Sequence, residues 1–536
     1  MKGKLLLFGA VFLLLAAGCA TVFRAEDEPR LREMIAQKLC VDLRYWELEP
    51  GVIDPAQTGP VLYTVKVLND EIAEALNELR PGSVILFAES CRDGKAVRKL
   101  TDDIRTLADS NSWPRPLLAV DEEGGRVERL TFGPHFPSAA ALGGMDEAYI
   151  ENMAGELADL TLASGFDLDF APVCDIDSNP KNPVINTRSF GHDAQTVKKG
   201  ATAFIRSFRK HGLLSCAKHF PGHGDTAVDS HTGLPRVEKN LDDLKKLELL
   251  PFKAAIEEGV DCVMTSHIQF PNIETNTLTD LNGQKILRPA TLSKTILQDL
   301  LRKELNFKGV IVSDDLDMDA ISKRFDVKEA VIEAWIAGVD IAILTKRFQN
   351  KASLKDWEAL LTRAEQAVKQ GRYPIEDLTA SYERIQALKQ KKLPKDDLDV
   401  SLYTSEEKSK EIDSKALSSL KTKGDASILK ELPKEKSRWF SRNFFQAARQ
   451  RGFLIFNGSS FAISPDVVLV YNYSSASPKK NEVDNLQATI NKAKAEGKRV
   501  ILLSCGVPVE EKLFPNVDLL IMSKGGLSGI SSLFSR

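Results

Sequence analysis

The chain has 536 residues, 43% of them hydrophobic and 27% charged, which are globular values that exclude disorder throughout. The length suits two or three ordinary domains, or one barrel of about 250–400 residues with a smaller partner. A net charge of −3 creates no field that would gather polyanions, so nucleic acid is not an expected partner.

The chain opens with Lys2 and Lys4, a short apolar run from Leu5 to Leu15, and Ala16-Ala17-Gly18 before Cys19. A positive start, a run too short to span a bilayer comfortably and small residues before a break describe a signal peptide. Small residues next to a cysteine also resemble a bacterial lipobox, with Cys19 as the lipid attachment point, although Ala16 stands where Leu is usual. An ordinary secretory signal is the alternative. The expected location is therefore extracytoplasmic, with the chain lipid-anchored to a bacterial membrane. Ala20 after the cysteine, rather than Asp, tilts the expectation toward the outer membrane. Residues 1–18 are read as signal peptide and 19–30 as tether.

From residue 31 to 392, strand and helix patterns alternate. Strand-like runs cover Ser83–Phe87, Leu117–Val120, Phe166–Phe170, Leu214–Ala217, Cys262–Ser266, Val310–Ser313 and Asp340–Leu344. An eighth strand near the N-terminus has no clear signal. Helical patterns cover Asn152–Ser164, Thr196–His211, Leu241–Glu258 (interrupted by Pro251), Lys294–Leu305 with Ser293 as N-cap, and Ile375–Lys389. Such repetition means a parallel sheet covered on both faces. The fold class is thus α/β, a (β/α)8 TIM-type barrel, with an open doubly wound sheet as the competing arrangement. Residues 393–424 are rich in Lys, Asp, Glu and Ser and read as a charged, solvated linker. Residues 425–536 form a second, smaller α/β domain, with strands at Asp466–Tyr471, Arg499–Ser504 and Asp518–Met522 and a helix at Glu482–Ala495. Six cysteines beyond Cys19 are scattered, and Cys174, Cys216 and Cys262 in apolar runs suggest buried thiols.

All seven histidines fall between His135 and His267. The run Lys218-His219-Phe220-Pro221-Gly222-His223-Gly224-Asp225-Thr226 follows an apolar strand, and Asp229-Ser230-His231 lies just beyond it. Other strands end at Asp121-Glu122-Glu123-Gly124-Gly125-Arg126, Ala171-Pro172-Val173, Thr265-Ser266-His267 and Ser313-Asp314-Asp315. In a barrel those ends share the catalytic face, so these acids and bases can converge on one pocket. Asp314 or Asp315 could act as a nucleophile, ligate a metal or cap the following helix. An Asp beside a His, as in Asp229 and His231, can orient an imidazole for acid/base work, or the histidine can be simply solvated. His219, His223, His231 and Asp225 could also hold a divalent cation, although Pro221 breaks any regular helical spacing.

The His-rich run, Asp229-Ser230-His231, Asp121 to Val127, Asn186-Thr187-Arg188-Ser189-Phe190-Gly191 and Ser313 to Met318 together resemble the motifs of bacterial β-N-acetylhexosaminidases of glycoside hydrolase family 3, in the same order. The resemblance implies a retaining glycosidase acting on an amino-sugar glycan such as peptidoglycan fragments. Asp314 would be the nucleophile, His231 the acid/base and Asp229 its partner. Asp121, Arg129, Arg188, Lys218 and His219 would bind substrate, with Asp315 and His223 in support. It implies no cofactor and no metal. Glu122 stands where the family usually has Gln, and Asn186 where it often has Gly. A β-glucosidase or glycosyl phosphorylase on the same scaffold, or a non-catalytic glycan-binding lipoprotein, remain the alternatives.

Overall fold

The computed structural model describes residues 28–48, 53–54, 59–179, 182, 184–226, 233–391, 398–405, 408, 421–424, 459–464, 467–474, 480–497, 499–506, 517 and 519–523. Residues 1–27, which hold the expected signal peptide, Cys19 and most of the expected tether, lie outside them, as do Asp229 and His231.

Eight parallel strands form the barrel: β1 (Leu39–Asp42), β2 (Ser83–Ile85), β3 (Leu117–Val120), β4 (Leu168–Asp169), β5 (Leu214–Phe220), β6 (Cys262–Thr265), β7 (Val310–Val312) and β8 (Ala342–Leu344). They neighbour one another in chain order, β8 pairs with β1, and a parallel bridge from Val312 to Ile341 joins β7 to the entry of β8. The sheet therefore closes, and the open doubly wound alternative is overturned. The strand without a clear signal is β1, only four residues long and buried throughout.

Side chains alternate across each strand. Cys40, Ile85, Leu117, Ala119, Leu168, Phe170, Leu214, Cys216, Cys262, Met264, Val310 and Val312 fill the barrel interior. Leu39, Val41, Val84, Leu118, Val120, Ala217, Val263 and Ile311 face the surrounding helices. Both faces are dry, which is why the strands read as unbroken apolar runs. Cys40, Cys91, Cys174, Cys216 and Cys262 are free, buried thiols, as expected for the last three.

Several helices begin where an acidic side chain caps them. Asp146 accepts from the Tyr149 amide and starts Glu147–Ala163 five residues before the expected point, and Asp193 starts Ala194–His211. The expected helix over Leu241–Glu258 is two, Leu241–Lys246 and Leu249–Glu258. The break precedes Pro251, which sits in the first turn of the second helix, where its missing N–H costs nothing. Thr295–Glu304 follows Ser293, whose hydroxyl accepts from the Ile296 amide at 3.1 Å, and it winds as a wide π-helix.

The expected solvated linker is partly docked. Val400–Thr404 forms a turn whose Val400 and Tyr403 side chains are buried in the main core, against Gly94 at the start of the helix Gly94–Ser110. The end of that segment is a strand, β9 (Lys421–Gly424), antiparallel to β13 (Leu519–Ser523). With β10 (Ser459–Ser464), β11 (Val467–Ser474) and β12 (Arg499–Gly506) these make a five-stranded sheet in the order β9-β13-β12-β11-β10. The helix Lys480–Ala495 links the parallel strands β11 and β12.

Candidate active site

A cavity of about 470 Å³ opens at the C-terminal ends of the barrel strands. Asp121, Arg129, Arg188, Lys218, His219 and Asp314 all line it, together with His223 and Asp315. Every expected site residue within the described part is therefore in one pocket. Asp229 and His231 belong to the loop that lies outside the described residues.

The acids after β3 separate by parity. Asp121 and Glu123 point into the cavity. Glu122 turns away and accepts from the Arg129 and Leu130 amides at 2.6 and 2.9 Å. Burial, reinforced by the Glu128 carboxylate, raises its affinity for a proton. The departure at Glu122 thus leaves the pocket's charge untouched.

Glu123 is the pivot of the cavity wall. Its carboxylate accepts from Arg188 through Nε at 2.8 Å and a terminal nitrogen at 2.7 Å, and it lies 2.6 Å from Lys218 Nζ. Burial alone would raise its pKa, but the Arg188 and Lys218 charges outweigh this and hold it well below the usual carboxylate range. Lys218 also donates to Asp121 at 2.7 Å. Burial opposes the Lys218 charge, and the two carboxylates more than restore it. Arg188 and Lys218 on one side and Asp121 and Glu123 on the other thus hold one another in place, so these buried charges are paired. Sequence reasoning placed Glu123 among the acids at the end of this strand but gave it no role, although its place two residues after Asp121 was the available signal.

The His-rich loop is built on Asp175, which was missed. Its fully buried carboxylate accepts from the His219 amide, from His219 Nδ1 at 2.7 Å and from the His223 amide at 2.6 Å. No local pattern marks it, because its partners lie 44 and 48 residues away. Burial pushes His223 down to about 4, so it is neutral at ordinary pH, and its Nδ1 meets the Thr226 hydroxyl at 3.0 Å. Asn186 adopts a φ of +47°, the backbone region that Asn tolerates and that explains its standing in for Gly.

Asp314 follows β7. Ser313 beside it accepts from the Ile343 amide, which pins this tip to β8. The Asp314 carboxylate accepts from the Asp315 amide at 2.8 Å. Asp315 takes the Thr345 hydroxyl at 2.5 Å and the Asp317 amide at 3.0 Å, and burial pushes it up to about 6, with Asp317 and Asp314 adding to the effect. Neither acid caps the next helix, Asp319–Ser322, whose cap position is Met318. Also lining the cavity, Arg44 stacks over Phe87 with its guanidinium carbon 3.6 Å from the ring centre. Neither residue was anticipated.

The cation reading of the histidines finds its donors engaged elsewhere: Asp225 pairs with Lys239 at 3.1 Å, and His219 with Asp175. Among the described residues no three His, Cys, Asp or Glu side chains converge as a cation site.

Residues 31–388 match the family described as glycosyl hydrolase family 3, N-terminal domain. The chain belongs to glycosyl hydrolase family 3. Within that family it is 36% identical over 367 residues to a β-hexosaminidase A from Pseudoalteromonas piscicida, covering 67% of this chain but only 61% of that protein. A β-hexosaminidase from Neisseria gonorrhoeae (strain NCCP11945) is 32% identical over 341 residues, 62% of this chain and 89% of its own. The solved family 3 β-N-acetylglucosaminidase from Paenibacillus sp. str. FPU-7 superposes with a TM-score of 0.72 at 26% identity, covering 94% of this chain and 95% of that one. This family 3 chain is accordingly a glycosidase, with its cavity where a barrel enzyme carries its chemistry.

Proposed function

We propose that the enzyme removes terminal β-linked N-acetylglucosamine from an amino-sugar glycan such as peptidoglycan fragments, with retention of configuration. The observation that carries this reading is the shared cavity: Asp314 lines it together with Asp121, Arg129, Arg188, Lys218 and His219. In the proposed cycle Asp314 attacks the anomeric carbon and forms a glycosyl ester, while His231, held by Asp229, gives its proton to the departing oxygen. His231 then takes a proton from water as the ester is hydrolysed, so a histidine replaces the usual acid/base carboxylate. An imidazole base avoids adding a second anion beside the nucleophile. Asp121 and Lys218, joined at 2.7 Å, would hold sugar hydroxyls by charge-assisted hydrogen bonds. Anchoring outside the cytoplasm through Cys19 is part of the same proposal and rests on the residues around it.

The test is turnover of a nitrophenyl N-acetylglucosaminide. Asp314→Ala and His231→Ala should fold and lose turnover, and a slow substrate should leave one glycosyl group on the Asp314 peptide by mass spectrometry. Normal turnover in both variants would sink the assignment. Products formed in phosphate, compared with products formed without it, separate hydrolysis from phosphorolysis, and a chelator should leave the rate unchanged. For the anchor, a Cys19→Ala variant should lose incorporation of labelled fatty acid.

A further inference from the structure

We infer that Asp175 is a positioning residue that locks His219 in its neutral, Nδ1-protonated tautomer, so that Nε2 acts as an acceptor holding Arg188 against the cavity. The donors and acceptors around His219 allow one arrangement. A terminal nitrogen of Arg188 lies 3.3 Å from His219 Nε2 with its hydrogen directed at it. A guanidinium has five N–H donors and no acceptor. His219 must therefore accept at Nε2, which leaves the ring hydrogen on Nδ1, where Asp175 takes it at 2.7 Å. The opposite assignment would set two N–H donors, and as an imidazolium two cations, against each other inside a buried wall.

The remaining donors of Arg188 are placed in the same way. Its Nε hydrogen goes to Glu123 at 2.8 Å, and the terminal nitrogen already used splits its two hydrogens between Glu123 at 2.7 Å and His219. The other terminal nitrogen keeps two hydrogens with no acceptor among the described residues, and Arg188 lines the cavity with its side chain 13% exposed. Asp175 and Glu123 thus grip Arg188 from two sides, the former through His219, and present one NH2 edge to the cavity. A sugar hydroxyl or amide oxygen is the chemistry that edge accepts. That consequence for turnover rests on the glycosidase reading above; the tautomer does not.

The experiment is ring 15N–1H correlation spectroscopy on the full chain labelled at histidine, at pH 7, with His219 assigned from the His219→Gln variant. The neutral Nδ1–H pattern is expected, and conversion to Nε2–H or to a mixture in Asp175→Asn, where an amide replaces one acceptor oxygen. An Nε2–H or imidazolium pattern in the unaltered chain would overturn the inference, as would an unchanged pattern in Asp175→Asn. In kinetics on the N-acetylglucosaminide, Asp175→Asn should raise KM about tenfold with kcat changing far less, the loss of one hydrogen bond to a charged group. Because Asp175 also holds two backbone amides, His219 variants supply an independent arm. His219→Gln carries an amide oxygen that can still accept from Arg188 and should raise KM less than His219→Leu does. Equal KM values in those two variants count against the role. Absence of turnover by the unaltered chain would sink the glycosidase reading while leaving the spectroscopic result standing.

Discussion

Glu123 carries more of the site than any other single side chain, because Arg188 and Lys218 both depend on its charge. Glu123→Gln would leave two buried cations facing one anion, Asp121. Removing one partner of such a buried cluster costs about 3–5 kcal/mol of stability and frees the cations to move. We expect a lower melting temperature at pH 7 and weaker substrate binding, read as KM. The pH dependence has a fixed sign. A carboxylate held below its ordinary value stabilises the fold above the unfolded pKa near 4.5, and that contribution fades as pH falls through the folded value. The melting difference between the two proteins should therefore be full at pH 7 and shrink below 4.5. A difference that grew on acidification would contradict the assignment. Parity at the end of β3 made this residue legible once Asp121 was chosen, since alternate residues share a face. Asp175 was not legible, because its meaning depends on a chain segment 44 residues later.

At the level of the element, the His-rich loop owes its path to Gly224. A Cβ there would sit 1.6 Å from the Ile176 carbonyl oxygen, a backbone atom that cannot swing aside. Asn182 fixes the same turn by donating to the His223 and Gly224 carbonyls at 2.8 and 3.0 Å. Gly224→Ala should thus push the loop off the segment that carries Asp175, costing about 1–3 kcal/mol as for overpacking elsewhere. Turnover should fall further than stability does, since His223 and the Asp175 bonds sit on the displaced turn; unchanged kcat/KM would show that the loop tolerates the shift. The helices taught a related lesson. Their apolar periodicity was readable, but their starts were set by Asp146 and Asp193, capping residues outside the periodic stretch. The docked turn at Val400–Thr404 was unreadable because a few apolar residues in a charged segment, of which only Val400 and Tyr403 are buried, give too short a periodic signal.

For the whole molecule, the seam where β8 meets β1 is tied by a buried charge cluster at the base of the barrel. Lys38 donates to the Val339 carbonyl at 3.1 Å and to Ser381, while Asp340 binds Arg302 and Arg384, the latter from the last helix of the barrel, Ile375–Gln390. The barrel's first strand, last strand and closing helix are thus pinned together. Burial pushes Lys38 down to about 7, against the pull of Asp340. Between pH 7 and 10.5 the unfolded chain holds a proton that the folded one has released, so this group makes stability rise with pH across that window. Lys38→Met removes the dependence. Melting temperatures of the variant relative to the unaltered chain should be more favourable at pH 6 than at pH 9, and a gap independent of pH would refute the buried charge.

The alternation of strands and helices outside β1, the class of fold and the grouping of acids and bases at strand ends were determined by the sequence alone. Those features follow from local periodicity and from the rule that parallel strands present their C-terminal ends to one side. Closure through Val312 and Ile341, the turning of Glu122 away from Glu123, and the hold of Asp175 on His219 were decided only in three dimensions. Each depends on register between segments tens of residues apart, and hydrogen bonds of 2.6 to 3.2 Å exist only once that register is set. Local pattern can say which residues reach the cavity. Which of them hold one another there is a property of the packed barrel.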